Sequence, residues 1–335
     1  MSLIQNSLFI FFLLGVSPVL YASSSSGGSG GATAVSGSGS RASESSPNRV
    51  DEARESMRER LRQKAITKAN NQKPYVNFDH SYADVNDFLG KYVQTSNDKT
   101  KTYVNYTGID KSKLDLIVKE MLQPSHSQVM VSFTPKERLA YFVNLYNILT
   151  IQLIVENYSE IKENSNSIKE LGGLFSSPWK KKFFTLFGRP HSLDEIEHGY
   201  IRGELPGFEQ SQKEFKDPRI HVAVNCASKG CPALSPVAFR PNEIESQFES
   251  TLDLFLKDRN RNKVDVKNKT VTISKIFDWY EKDFERGLLD YTDLKKFIQI
   301  NGDALSDSPE QRALLQSGKF DIEFSDYDWT LNDTL

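Results

Sequence analysis

The sequence predicts a helix-rich α+β domain in which a small antiparallel sheet packs on one long buried helix. Three observations carry this prediction. The run from Pro135 to Tyr158 is apolar nearly all round, and segments with helix-capping signals outnumber segments that alternate. The alternating segments are joined as hairpins or stand alone, where a parallel α/β sheet would show them recurring between helices.

The first stretch is not fold-forming. Leu8 to Leu20 is an apolar run too short to span a bilayer, and Tyr21-Ala22 with the serine tract behind it completes a signal-peptide outline over residues 1–22. Only the amino terminus supplies positive charge before that run. Cleavage after Ala22, with no cysteine near the cut to carry a lipoprotein-type anchor, predicts a secreted or periplasmic protein without a transmembrane segment in its mature chain. Ser23 to Ser46 is almost entirely Ser, Gly and Ala, which cannot bury enough apolar surface to offset ordering entropy. Residues 23–72 are therefore expected to form a tether, with a weak polar helix over Arg54 to Lys68, ahead of a single domain at 73–335.

Within that domain, Thr134 stands at the N-cap and Pro135 at the first position of the central helix. Asn144, Asn147 and Gln152 interrupt its apolar run, which argues for burial in protein and against a membrane span. A buried amide left unbonded costs about 1–3 kcal/mol, so Asn144 and Asn147, three apart on one face, need partners. They could hold a neighbouring loop or orient catalytic side chains. Ser192 and Glu195 have capping-box spacing and open a helix that places Glu195, His198 and Arg202 on one face. Asn242 is the expected cap of a helix reaching about Lys257. Lys263 to Val266 and Thr270 to Ser274 form a hairpin across a Lys-Asn-Lys turn. Helices are expected at Ser274 to Phe284, at Thr292 to Ile300 and from Ser308-Pro309, with a last strand at Phe320 to Phe324.

Chemistry concentrates between Asp217 and Pro232, where both of the chain's 2 cysteines meet His221 and Asn225. Arg219 to Asn225 reads as a strand, with Ile220, Val222 and Val224 on one face and Arg219, His221, Ala223 and Asn225 on the other. Gly230 and Pro232 then punctuate a turn that holds Cys226, Ser228 and Cys231. Three readings stand open. Cys226 or Cys231 is a thiol nucleophile, with His198 or His221 as base and Glu195, Asn225, Asn144 or Asn147 orienting it. Alternatively the two cysteines close a disulfide that rigidifies the turn of a peptide- or glycan-binding module. The third reading is zinc held by His198, His221, Cys226 and Cys231, although the cysteine spacing is wider than structural zinc sites use.

The balance of 42 basic against 44 acidic residues, net -2, offers no chain-wide attraction for a polyanion, so nucleic acid is not an expected partner. No phosphate-binding glycine loop, internal repeat or heptad array is present, and no cofactor is expected. The expected partner is a peptide, glycan or small-molecule substrate. His80, His126 and His191 read as solvated, and Lys180 to Lys182 as an exposed face. Trp179, Trp279 and Trp329 suit core packing, and aromatics beside a pocket also hold sugars or peptides.

Six blocks, in order, carry a resemblance: Tyr141-Phe-Val-Asn-Leu-Tyr-Asn147, Leu193-Asp-Glu-Ile-Glu-His198, Asp217-Pro-Arg-Ile-His221, Asn225-Cys-Ala-Ser-Lys-Gly-Cys-Pro232, Phe277-Asp-Trp-Tyr-Glu-Lys-Asp-Phe284 and Tyr327-Asp-Trp-Thr-Leu-Asn332. From about Asn77 to Asn332 the chain resembles the family called domain of unknown function 547, which carries no agreed activity. The resemblance implies a grouping with papain-like cysteine hydrolases, hence a thiol-dependent hydrolase or acyl transferase acting on an amide, ester or thioester. Papain-like enzymes place their cysteine at the start of the long central helix. Here that helix has none.

Overall fold

The central helix, Pro135–Glu156, starts where its sequence says it should. Thr134 Oγ1 accepts from the Glu137 N–H and Glu137 Oε2 accepts from the Thr134 N–H at 2.7 Å, a closed capping box with Pro135 in the first turn. The computed structural model describes residues 74–334, apart from 173–176, 209–210 and 212–214, together with part of 54–68. The expected signal peptide over residues 1–22 and the Ser/Gly-rich stretch from Ser23 to Ser46 lie outside the described residues, and the described part of 54–68 is helical and exposed.

Tyr141, Phe142, Leu145, Tyr146 and Leu149 are all buried, so the central helix is enclosed on every side rather than amphipathic. Its length and hydropathy would suit a membrane span, yet 83% of its apolar window is covered by protein. Around it lies the first of two hydrophobic clusters. Helices Ala83–Tyr92 and Lys111–Met121 contribute, as do two antiparallel hairpins. One joins β1 (Val93–Thr95) to β2 (Thr102–Val104) with Val93 opposite Val104. The other joins β3 (Phe184–Leu186) to β4 (Arg189–His191) with Phe184 opposite His191.

The second cluster gathers Phe255, Phe277, Phe284 and Phe297 under the largest sheet. β5 (Lys263–Asp265) and β6 (Thr270–Ile273) form the expected hairpin, while β7 (Asp321–Phe324) joins β6 in parallel. The α+β class stands, and small antiparallel sheets, the hairpins β1–β2 and β3–β4, contribute to the cluster around the central helix as expected; the three-stranded sheet is the exception. The sheet is mixed, and its buried Val271 and Ile273 belong to the second cluster. Alternation assigns faces to a strand but not the direction of its neighbour, and β7 arrives after helix Pro309–Ser317, a crossover that permits parallel pairing.

The largest departure falls just before the cysteines. Pro218–Val222 is a 3-10 helix, not a strand: Asp217 caps it by accepting from the Arg219 N–H at 2.9 Å, and Pro218 fills its first turn. Ile220, His221 and Val222 are all buried, so the apparent alternation did not separate two faces. An Asp-Pro helix start outweighed a short period-two pattern. A smaller correction concerns helix Ile244–Lys257, whose N-cap position is Glu243, without a side-chain cap, rather than Asn242. His191 is buried rather than solvated, its Nδ1 2.8 Å from the Arg189 carbonyl and its Nε2 3.3 Å from the Tyr200 hydroxyl.

Candidate functional site

The turn that carries the cysteines is fixed by amides from the central helix. Asn147 Nδ2 donates to the Ala223 carbonyl at 2.9 Å, and its Oδ1 accepts from the Asn225 N–H at 2.9 Å. Asn144 holds the Phe239 backbone in the same way, donating at 2.7 Å and accepting at 2.9 Å. Both amides therefore pin loops, the first of the two roles their sequence allowed. Asn225 continues the brace, accepting from the Ala227 N–H and donating to the Pro232 carbonyl, each at 2.8 Å.

From the other side, Arg261 reaches three carbonyls of the turn: Gly230 at 2.6 Å, Cys231 at 2.8 Å and Lys229 at 3.1 Å. Its Nε pairs with the buried Asp258 at 2.7 Å. The Lys229 and Gly230 N–H groups donate to the Thr330 and Asp328 carbonyls at 2.8 and 2.7 Å. Gly230 has a steric reason to be glycine. A Cβ there would stand 2.9 Å from both the Asp328 carbonyl oxygen and the Tyr327 ring.

Inside this brace Cys226 and Cys231 form a disulfide, with their Cα atoms 6.3 Å apart. The Cys226 N–H donates to Cys231 Sγ at 2.9 Å, and the Tyr327 hydroxyl lies 3.2 Å from each sulfur and 2.9 Å from Ser228 Oγ. Burial pushes the Tyr327 phenol well above its ordinary range, so the hydroxyl keeps its proton. Among the described residues no histidine is a hydrogen-bonding partner of either sulfur.

The two histidines proposed as bases belong to a separate buried network. His221 Nε2 lies 2.7 Å from Asp283 Oδ2, and its ring stacks on Tyr280 at 3.7 Å and 18°. Burial lowers the His221 pKa against the opposing pull of Asp283. That shift favours the neutral ring, in which Nε2–H would donate to the carboxylate, and among the described residues Nδ1 is buried without a hydrogen-bond partner. Asp283 also receives Arg202 Nε at 2.9 Å and pairs with Arg286 at 2.6 Å. His198 lies 2.5 Å from Arg202 Nη1 and 3.7 Å from Asp194. The buried Glu197 accepts from the Tyr280 hydroxyl at 2.8 Å. Burial raises the Glu197 pKa, but His198, His221, Tyr280 and Arg202 act against it and the carboxyl lies below its ordinary range.

The sequence candidates therefore divide. Cys226, Cys231, Asn225 and Asn147 meet at the turn, with Asn144 on the next loop, while His198 and His221 sit in the ion network. Glu195 orients neither histidine. It closes the capping box with Ser192 at 2.9 Å and pairs with Lys182 at 3.2 Å. The four zinc-competent side chains do not converge, and among the described residues no group of three or more His, Cys, Asp or Glu side chains is placed to hold a metal ion. Sequence reasoning missed the roles of Asp283, Glu197, Tyr280, Tyr327 and Arg261. All except Arg261 lie in the blocks that carry the family resemblance, which was the available signal.

The tryptophans supply the remaining feature. Trp279 and Trp329 stack at 5.6 Å and 29°, Tyr327 lies 4.8 Å from Trp279 and 4.5 Å from Trp329, and Trp179 lies 5.9 Å from Trp329. They form a patch rather than core packing: Trp279 is 45% exposed and the other three rings are half-buried. Tyr327 joins this patch to the disulfide. Beside it a cavity of about 160 Å³ is lined by Ser228, Cys231, Arg261 and Tyr327, among others.

Residues 130–256 match the family described as "Protein of unknown function, DUF547". The stretch holds the central helix, the Glu195 to His198 segment and the cysteine turn, while Trp279, Asp283 and Tyr327 lie beyond it. No curated protein and no solved structure matches the chain.

Proposed function

We propose that the protein is an exported ligand-binding module that holds a peptide or glycan on the half-exposed aromatic patch beside its disulfide-locked turn. The observation that carries this reading is Tyr327, whose hydroxyl bonds the cysteine turn and whose ring packs on Trp279 and Trp329. Binding surfaces gain from rigid aromatic rings, which supply contact area at little entropic cost. Arg261, Asn225 and the disulfide fix the turn, and the turn fixes the rings. The disulfide also supports an oxidising compartment, in keeping with a secreted or periplasmic location.

The rival reading, a thiol-dependent hydrolase or acyl transferase, needs a thiolate and a base beside it. Oxidised sulfur offers no thiolate, and the observed sulfur contacts are with Ser228, Tyr327 and the Cys226 N–H. Intact mass before and after iodoacetamide separates the two readings. The non-reduced protein is expected to take no adduct even when denatured. One adduct on Cys226 or Cys231 in the native protein would move the assignment to thiol chemistry.

Binding itself is tested by tryptophan fluorescence against peptide and glycan panels. A binding ligand should shift the emission, and Trp279→Ala should weaken its affinity by about tenfold or more while leaving the melting temperature nearly unchanged, as expected for an exposed contact residue. Equal affinity in the variant would place the ligand elsewhere.

A further inference from the structure

We infer that the Cys226–Cys231 disulfide is exchange-active: an external thiol enters at Cys226, and Cys231 leaves as a thiolate held by donors already in place. This goes beyond the binding reading and does not rest on the aromatic patch. Three observations carry it. The sulfurs differ in access, since Cys226 is half-buried and Cys231 is buried. Both are furnished with donors. The Tyr327 hydroxyl lies 3.2 Å from each, Cys226 Sγ touches the Ser228 hydroxyl at 3.1 Å, and Cys231 Sγ receives the Cys226 N–H at 2.9 Å. The third observation is that the turn does not depend on its covalent bond alone. Asn147 and Asn225 bind the chain on either side of it, and Arg261 holds the Lys229, Gly230 and Cys231 carbonyls. The sulfurs therefore stay close when the bond between them opens.

The step balances with thiol as its only co-reactant. One thiolate attacks Cys226 Sγ, the S–S bond breaks, and its electron pair leaves on Cys231; a second thiolate then attacks the mixed disulfide and releases Cys226. Two thiols become one disulfide, the protein's disulfide gains the two electrons, and the protons shed by the thiols return from solvent to Cys226 and Cys231. No base is needed beside the sulfur, because the entering thiol ionises in solution, whereas acyl transfer needs one. A cysteine pair without a histidine partner is thus suited to exchange. When Cys231 leaves, the Cys226 N–H is a main-chain donor that cannot turn into an acceptor, and such charge-assisted bonds to the departing thiolate speed its release. Burial keeps the proton on Tyr327, so its hydroxyl serves the same anion as a donor.

The test is exchange of the non-reduced protein with reduced glutathione at neutral pH, quenched with acid and read by intact mass and peptide mapping. The folded protein is expected to exchange about as fast as the same protein in denaturant and to melt cooperatively once reduced. Exchange about 100-fold slower in the folded protein would mean that the bond opens only on unfolding, and would overturn the inference. Cys231→Ser should trap one glutathione on Cys226, while Cys226→Ser should react about tenfold slower or more. Faster trapping on Cys231 would overturn the direction assigned to the attack. Tyr327→Phe keeps the ring and removes the hydroxyl. It should slow exchange in the folded protein about tenfold and raise the pH at which Cys231 of the reduced protein is alkylated, a profile that packing alone would not move. An unchanged rate and profile would overturn the part given to Tyr327. Trp279→Ala should leave exchange unaltered, which keeps this test apart from that of the aromatic patch.

Discussion

Asp283→Ala is expected to lower the unfolding free energy by about 3–5 kcal/mol, the loss typical of removing one partner from a buried ion pair. Asp283 is buried and pairs with Arg202, His221 and Arg286 at once, so its removal takes from the buried Arg202 guanidinium its buried carboxylate and leaves it the more exposed Glu204 at 2.7 Å. Chemical denaturation should show a lower midpoint with an unchanged slope. The same pair sets an acid limit. The folded-state pKa of His221 is depressed by burial below 6.5, so the unfolded chain binds its proton more readily, and stability is full above about 6.5 and falls as pH drops below it. Asp283 adds to this further down. Its pKa is held low by His221 and Arg202 against burial, a contribution present above about 3.9 and lost as pH falls through the lower folded value. His221→Gln should flatten the decline just below pH 6.5, read from denaturation midpoints across pH. An unchanged slope in that variant would assign the acid limit to other groups.

What the sequence made legible was local. The Thr134, Pro135 and Glu137 capping box lies within four consecutive residues, and the buried character of the central helix shows in its composition. The cysteine turn was legible because Gly230, Pro232 and both cysteines stand close together. Contacts that close the site are remote. His221 meets Asp283 across 62 residues, and Tyr327 meets Cys231 across 96. No periodicity encodes such pairings, so His221 and Cys226, only five residues apart, were placed with Cys231 in one constellation that the fold divides. The tryptophans failed differently. Large aromatics are buried in most settings, and only the return of the chain from Tyr327 to Asn332 along the cysteine turn brings Trp329 onto Trp279. The misread strand at Arg219 to Asn225 shows the limit of short alternation where an Asp-Pro start competes with it.

Arg261→Leu should destabilise the protein more than removal of the disulfide. The Arg261 guanidinium satisfies the Lys229, Gly230 and Cys231 carbonyls and neutralises Asp258, whose other basic neighbour, Lys101, is 4.0 Å away. Leucine would fill part of the volume but leave a buried carboxylate and three carbonyls without their donor, a loss of about 3–5 kcal/mol. The disulfide closes a loop with a sequence separation of only 5. Loop-closure entropy for so short a ring gives about 2 kcal/mol, so Cys226→Ser with Cys231→Ser should cost less. Thermal melts of the two variants side by side decide the order. If the Arg261 variant melts lower, the turn owes its shape chiefly to the guanidinium and would keep its rings in register even when reduced. If the serine variant melts lower, the covalent bond is the main restraint, and ligand binding should then be lost on reduction.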